Sequence, residues 1–293
     1  MPEELTNKQV QHLGKRLRDG VASEQDITLL NRYRAKFDPL LFSTADRVIV
    51  SLESAGIPHL ISGRTKRTKS IVRKLVRDHS MDLSRMIDIV GIRVIVSDVN
   101  SQDIAVESLS KLDSSRVNVR DYRARKNGYR AVHIHVTSPS ASVEIQVRTL
   151  PQHFWADQSE RLGERTKEGS SDEAAQEILH DLSLFCVAKD RLETDSDVRP
   201  LSRWAETYQR LAENFDRFKT TPRPRSSFSF VVLYDAIANL LLKADKFSSR
   251  DEALAEFRYL SNQVDESRFD VLVLNSATRE ALSVTHPRFF PEG

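Results

Sequence analysis

The chain has 293 residues, 39% of them hydrophobic and 29% charged, with a formal net charge of +2; this is apolar enough to bury a core, which excludes a wholly disordered chain, and too nearly neutral for total charge to name a partner. A single cysteine, Cys186, excludes an intrachain disulfide and an all-cysteine metal site. Met1-Pro2-Glu3-Glu4 has no apolar run behind it and the longest apolar stretches are far too short to cross a bilayer, so the expectation is a cytoplasmic protein without a membrane segment.

The first 56 residues carry helical periodicity. Thr6 or Asn7 can cap a helix with Val10, Leu13 and Leu17 on one side and Gly20 behind it. Ser23 with Asp26 resembles a capping box ahead of Ile27, Leu30 and Tyr33. Asp38-Pro39 interrupts, and a third helix runs to Gly56-Ile57-Pro58. A short strand is expected over His59–Ser62, then a basic helix with Ile71 and Leu75 inward, then a β-branched strand over Ile87–Val96. A helix over Gln102–Leu112 follows, and a hairpin of Ala131–Thr137 and Val143–Thr149 turns at 138–141. Trp155–Leu192 reads as helical, 195–200 as a break, Trp204–Phe218 as helical and 220–227 as a linker. The remainder reads as strands Phe228–Leu233, Leu240–Phe247 and Phe269–Leu274, with a helix over Arg250–Gln263 and a short one from Thr278. The pattern is α+β, a mixed β-sheet flanked by helices. It divides into an N-terminal helical segment (1–45), a central domain (46–165), a helical extension (166–220) and a small C-terminal ββαβα domain (226–293).

Charge is unevenly spread. Arg64, Lys66, Arg67, Lys69, Arg73, Lys74 and Arg77 come without an intervening acid, and Arg116, Arg120, Arg123, Arg125, Lys126 and Arg130 include only Asp121. Two basic clusters in a near-neutral chain imply a locally held anion, though a pair of solvated basic faces fits charge alone equally well. In Val143-Glu144-Ile145-Gln146-Val147-Arg148-Thr149 the period of two puts Val143, Ile145 and Val147 in the core and Glu144, Gln146 and Arg148 on the other face. A hairpin partner would add His133 and His135 to that polar face. With Asp88 opening the preceding strand, two carboxylates, Asp88 and Glu144, would stand among basic residues, a set that shares Mg²⁺ with a polyphosphate.

Four motifs, Ser62-Gly63-Arg64-Thr65-Lys66 with Ser70 and Lys74, Asp88-Ile89-Val90-Gly91-Ile92-Arg93, Asn127-Gly128-Tyr129-Arg130-Ala131-Val132-His133, and Glu144-Ile145-Gln146-Val147-Arg148-Thr149, stand in the order and spacing of the RelA/SpoT synthetase domain. The chain resembles that family over about Asp46–Arg161. The resemblance implies a nucleotidyltransferase-like fold and transfer of the β,γ-pyrophosphate of ATP to the 3′-hydroxyl of GDP or GTP. It implies Asp88 and Glu144 as catalytic residues and Mg²⁺ ligands. It puts Arg64, Arg93, Lys66 and Lys74 on ATP, and Lys126, Asn127, Tyr129, His133 and Gln146 on the acceptor. Ala131, Arg125 and Ser159-Glu160 depart from common family residues around the acceptor. Acceptor identity (GDP/GTP, an adenine nucleotide or tRNA), a homo-oligomer and a catalytically silent binding module therefore stay open. His180-Asp181 is set aside as a chance dipeptide, so no hydrolase activity is expected. His153 and Trp155 are read as packing or supporting groups.

Overall fold

The structure, a computed structural model, describes residues 5–112, 116–125, 128–137, 142–165, 172–191, 202–219, 228–238, 240–265, 268–276, 278–287 and 289–290. Three helices open the chain, α1 (Asn7–Arg18), α2 (Glu24–Ala35) and α3 (Asp38–Ser54). Thr6 caps α1 in a box with Gln9, and Ser23 caps α2 in the box with Asp26. Pro39 stands in the first turn of α3, where its missing N–H costs nothing. Then come β1 (Leu60–Thr65), α4 (Thr68–Arg77), a 3-10 turn at Leu83–Arg85, β2 (Val90–Val96), α5 (Val99–Leu109), β3 (Arg116–Asp121), β4 (Val132–Thr137) and β5 (Ser142–Thr149). Helices α6 (Leu150–Arg165), α7 (Asp172–Asp190) and α8 (Ser202–Lys219) precede β6 (Phe228–Asp235), β7 (Leu240–Phe247), α9 (Arg250–Gln263), β8 (Phe269–Ser276) and α10 (Arg279–Thr285).

The strands form one mixed sheet in the order β3-β4-β5-β2-β1-β8-β6-β7. Its neighbours are antiparallel except β2 and β5. The α+β reading holds, and the ββαβα order at the C-terminus is present. Those last strands, however, continue the main sheet instead of closing a sheet of their own. The junction is narrow: β8 meets β1 through the single registered pair Gly63–Asn275. The helical stretch that reads as continuous from Trp155 divides into α6 and α7. Strand β3 is an element that the sequence pattern does not announce. The turn at 138–141, the break at 195–200 and the linker at 220–227 lie outside the described residues.

Two cores clasp the sheet. On one face Val90, Ile92, Val94, Ile134, Ile145 and Val147 pack with Leu13, Leu30, Leu41, Val48 and Ile71 of the N-terminal helices and α4. Gly63 permits this approach, since a Cβ there would stand 2.7 Å from Leu41 Cδ1. On the other face Leu60 and Ile95 pack with Phe154 and Trp155 of α6, Phe185 of α7, Phe215 of α8, and Ala281 and Val284 of α10. The C-terminal unit is thus joined to the rest by core as well as by sheet, with Phe42 of α3 buried against Val231, Leu254 and Val273. Undocking it would bare Phe42 and Val284 at about 1.5–3 kcal/mol each. Among the polar ties it would break, Arg67–Asp270, Arg93–Thr285 and His153–Val284 count about 1 kcal/mol apiece, and the more exposed Arg250–Asp46 pair adds little. The sum, roughly 6–9 kcal/mol, is the size of a whole domain's stability. Among the described residues no helix is long and apolar enough to cross a membrane.

Candidate active site

Register builds the site. Period-two alternation sends Arg64 of β1, Gly91 of β2, Glu144 of β5 and His135 of β4 to the face opposite the N-terminal helices, in one row across four strands. The adjacent row is Ser62, Arg93, Gln146 and His133. Gly91 leaves the floor open between Arg64 and Glu144; a Cβ there would find only the Arg64 carbonyl, at 3.9 Å. The hairpin reading is therefore correct in face and pairing.

Glu144 sits at the centre of a hydrogen-bond network. Its Oε1 accepts from His133 Nδ1 at 3.0 Å and His135 Nε2 at 3.2 Å, and its Oε2 accepts from Gln146 Nε2 at 2.7 Å. A carboxylate can only accept, so His133 presents an Nδ1–H to Glu144. Its Nε2 is hydrogen-bonded to the Tyr129 hydroxyl, 2.6 Å away. Arg148 Nη2 donates to the same hydroxyl at 3.1 Å and to Gln146 Oε1 at 2.9 Å. Burial opposes ionisation of Glu144, but the donors from His133 and His135 outweigh it and hold the carboxyl well below the usual carboxylate range. The three ligand atoms of His133, His135 and Glu144 lie within 4.8 Å of one another.

Asp88 stands in the turn before β2, two residues short of the strand. Lys66 Nζ and Lys74 Nζ each approach its Oδ2 to 2.8 Å. Burial again works against the charge, and the two ammonium groups overcome it to keep Asp88 below its ordinary pKa. Lys66 follows β1, with its backbone N–H on Ile89 O at 2.7 Å. Lys74 projects from α4, whose Ile71 and Leu75 are fully buried. The two lysines and Asp88 are thus gathered where β1, α4 and β2 meet.

Arg64 and Arg93 are half-buried. Burial and the neighbouring cations Arg67 and Arg93 draw Arg64 down to about 10, which leaves it charged at neutral pH. Burial likewise lowers Arg93, with Arg148 adding to the effect. Asp157 and Glu160 of α6 supply opposing charge. Among the described residues, Arg67 Nε, Arg93 Nε, Arg148 Nε and Asp88 Oδ1 are buried atoms without a hydrogen-bond partner. Unpaired buried donors and an unpaired carboxylate oxygen suit a bound polyanion and a cation. Asp88 Oδ1 is the observation by which the residues present fit Mg²⁺; all-oxygen carboxylate donors are its usual ligands.

The structure therefore gathers Arg64, Arg93, His133, Glu144 and Gln146 on one face, ties Tyr129 to it through His133, and sets Lys66, Lys74 and Asp88 together where β1, α4 and β2 meet. Lys126 and Asn127 lie outside the described residues. Tyr129 is half-buried, tied through its hydroxyl and packed edge-on against Trp155 at 6.2 Å between ring centroids. Three further site residues carry no role in the sequence reading. Arg148 and His135 have a signal there, since both alternate onto the face of Glu144. Arg67, which pairs with Asp270, is visible in sequence only as one more base in a basic run.

The polar face of the mixed sheet thus carries Glu144 among histidines, arginines and an amide, with Asp88 and its two lysines where β1, α4 and β2 meet. Residues 63–163 match the family model for the region found in RelA / SpoT proteins. Uncharacterized protein Rv1366 of Mycobacterium tuberculosis is 30% identical over 162 residues, 54% of this chain and 59% of that protein. GTP pyrophosphokinase YjbM of Bacillus subtilis is 35% identical over 109 residues, 33% of this chain and 52% of that one. The chain thus spans little more than half the length of these relatives. Among solved structures, small alarmone synthetase 2 from Bacillus subtilis aligns at 25% identity and a TM-score of 0.45, covering 57% of this chain and 95% of that one.

Proposed function

We propose that the protein is an ATP-dependent pyrophosphokinase that transfers pyrophosphate from ATP to the 3′-hydroxyl of GDP or GTP. The observation that carries the reading is the shared face: Arg64 and Glu144 in one row, Arg93 and Gln146 in the next, and Asp88 with its two lysines at the edge. Arg64 and Arg93 take the adenine side of ATP. Lys66 and Lys74 pass from Asp88 Oδ2 to the triphosphate as it enters, freeing that oxygen beside the unpartnered Oδ1. Asp88 and Glu144 would hold Mg²⁺, which neutralises phosphate charge when bound. Tyr129, His133 and Gln146 orient the acceptor, with Lys126 and Asn127 in the adjoining loop.

Glu144 accepts the hydrogen bond of the attacking hydroxyl. Its depressed pKa makes it a weak base, but a loose phosphoryl-type transition state moves the proton late and asks more of alignment and charge than of base strength. A nucleic-acid acceptor is the second reading, favoured by edge strand β3, which exposes Arg116 and Arg120 and sets Arg120 opposite His133. The test mixes the full chain, Mg²⁺ and γ-labelled ATP with GDP, GTP, ATP or tRNA, with Glu144→Ala as control. Label on GDP or GTP that disappears in the control is the expected result. Label on tRNA or ATP selects the alternative acceptors, and undiminished transfer by Glu144→Ala refutes the site.

A further inference from the structure

We propose that α10 is a working part of the ATP side of this site: its last carbonyls, locked by His153, fix the guanidinium of Arg93. The inference rests on the reading of Arg93 as an ATP-contacting residue. A helix leaves its final carbonyls without intrahelical donors, and those carbonyls attract positive or donating groups. At the end of α10 two such acceptors are taken by side chains from the RelA/SpoT region. His153 Nε2–H donates to Val284 O at 2.7 Å, and Arg93 Nη1 donates to Thr285 O, also at 2.7 Å.

Both ties are sheltered. His153 and Thr285 are fully buried and His286 nearly so. The Thr285 hydroxyl donates to Ala281 O at 3.1 Å and lies 3.0 Å from His286 Nδ1, which pins the helix end from within. The unit that carries α10 is tied to the segment around Arg64 by the Gly63–Asn275 pairing and the Arg67–Asp270 ion pair. An in-plane hydrogen bond to Nη1 leaves both faces of a guanidinium open to stack on a base while removing its freedom to swing. His153 and Thr285 are therefore positioning residues, acting on ATP through Arg93.

A removable cover is the opposite device, and the burial argues against it. Ala281 and Val284 belong to the core shared with Phe154 and Trp155, so lifting α10 would open that core. Arg64 and Arg93 also keep part of their surface in solvent with α10 in place, so a base can reach them without displacement.

The experiment measures the affinity of the full chain for α,β-methylene-ATP with Mg²⁺ by calorimetry, alongside KM for ATP and for the acceptor. The proteins compared are wild type, His153→Ala, His153→Gln and Thr285→Val, each checked for folding by circular dichroism. His153→Ala should weaken analogue binding and raise KM for ATP about 10-fold, a modest share of what a misplaced substrate-positioning group can cost, with acceptor KM unchanged. His153→Gln, whose amide can donate where Nε2–H did, should recover most of that loss. Thr285→Val, nearly isosteric, should move the same two quantities the same way and serves if His153→Ala does not fold. Folded variants that bind the analogue like wild type overturn the proposal, and variants that bind it more tightly overturn it in favour of a cover. A wild type that binds the analogue but transfers pyrophosphate to no acceptor removes the proposed activity and leaves the positioning role supported by binding. A wild type that binds no adenine nucleotide overturns both.

Discussion

Gly91 separates stability from function at a single position. It lies inside β2 on the polar face, between Arg64 and Glu144 of the flanking strands. Its backbone is not in the left-handed region, so a β-branched residue fits it, and a Cβ would meet only the Arg64 carbonyl at 3.9 Å. Glycine in a strand carries an entropic cost, and replacing it at a compatible backbone position gains about 0.4–1 kcal/mol. Gly91→Val should therefore match or exceed wild-type stability. The same side chain puts two methyl groups on the floor, at the usual cross-strand spacing of about 4.5–5.5 Å from the Cβ atoms of Arg64 and Glu144. A substrate displaced by about 1 Å loses about 100-fold in rate, so transfer should fall by at least that factor, with Gly91→Ala in between. Thermal melts and the labelled-pyrophosphate assay are read on the same preparations. A stable Gly91→Val protein with wild-type turnover would show that substrate does not cross between Arg64 and Glu144. A collapsed protein would show that the face is packed, not open.

Gly128→Ala should cost about 2–4 kcal/mol in urea unfolding and shift tryptophan emission, because φ is +83° and the new Cβ would stand 2.8 Å from Trp155 Cζ2. Tyr129→Phe removes the hydroxyl joining Arg148 to His133; KM for the acceptor should rise with ATP affinity unchanged, and a change confined to ATP would assign the loop to the other substrate. Acid should weaken the fold through His153 and His286, whose pKa values burial holds well below the ordinary range, with Arg93 adding to it. The sign follows from proton binding: below about 6.5 the unfolded chain protonates both rings and the folded chain does not, so stability falls as pH falls. Each ring contributes about 1 kcal/mol between pH 6.5 and 5.5, rising toward about 1.4 kcal/mol per pH unit below that. His153→Gln should flatten the slope by one such contribution, and Asp38, raised to about 7 by its burial, opposes it equally in both proteins and cancels. An unchanged slope in urea titrations between pH 6.5 and 5.5 would refute the buried, neutral state of His153.

The parts of the site that local periodicity determines are legible in the amino-acid sequence. Once Val143, Ile145 and Val147 are placed in the core, Glu144, Gln146 and Arg148 have no other face to occupy, and hairpin pairing brings His133 and His135 to the same side. Asp88 with Lys66 and Lys74 depends on more than a strand pattern, and only the family's motif spacing gathers them. Strand β3 escapes notice because its Arg116-Val117-Asn118-Val119-Arg120 alternation is masked by charge. It is an edge strand exposed along most of its length, so it needs no apolar face to declare itself.

The C-terminal unit marks where such reading stops, and the reason is physical. Its order ββαβα is local and legible, whereas its place in the molecule rests on contacts with no local signature. Arg93 and Thr285 are 192 residues apart, and His153 and Val284 are 131 apart. One side of each bond is a backbone carbonyl, which every residue owns, so no side-chain pattern announces it. The sheet junction adds one registered pair at Gly63. A module that reads as a separate small domain is thereby built into the wall of the site, so removing it would take away the support of Arg93 together with any regulatory role. Truncation is for that reason a poor test of what the C-terminus does. A point change at His153, which leaves the sheet and the Arg67–Asp270 tie intact, asks the question without dismantling the site.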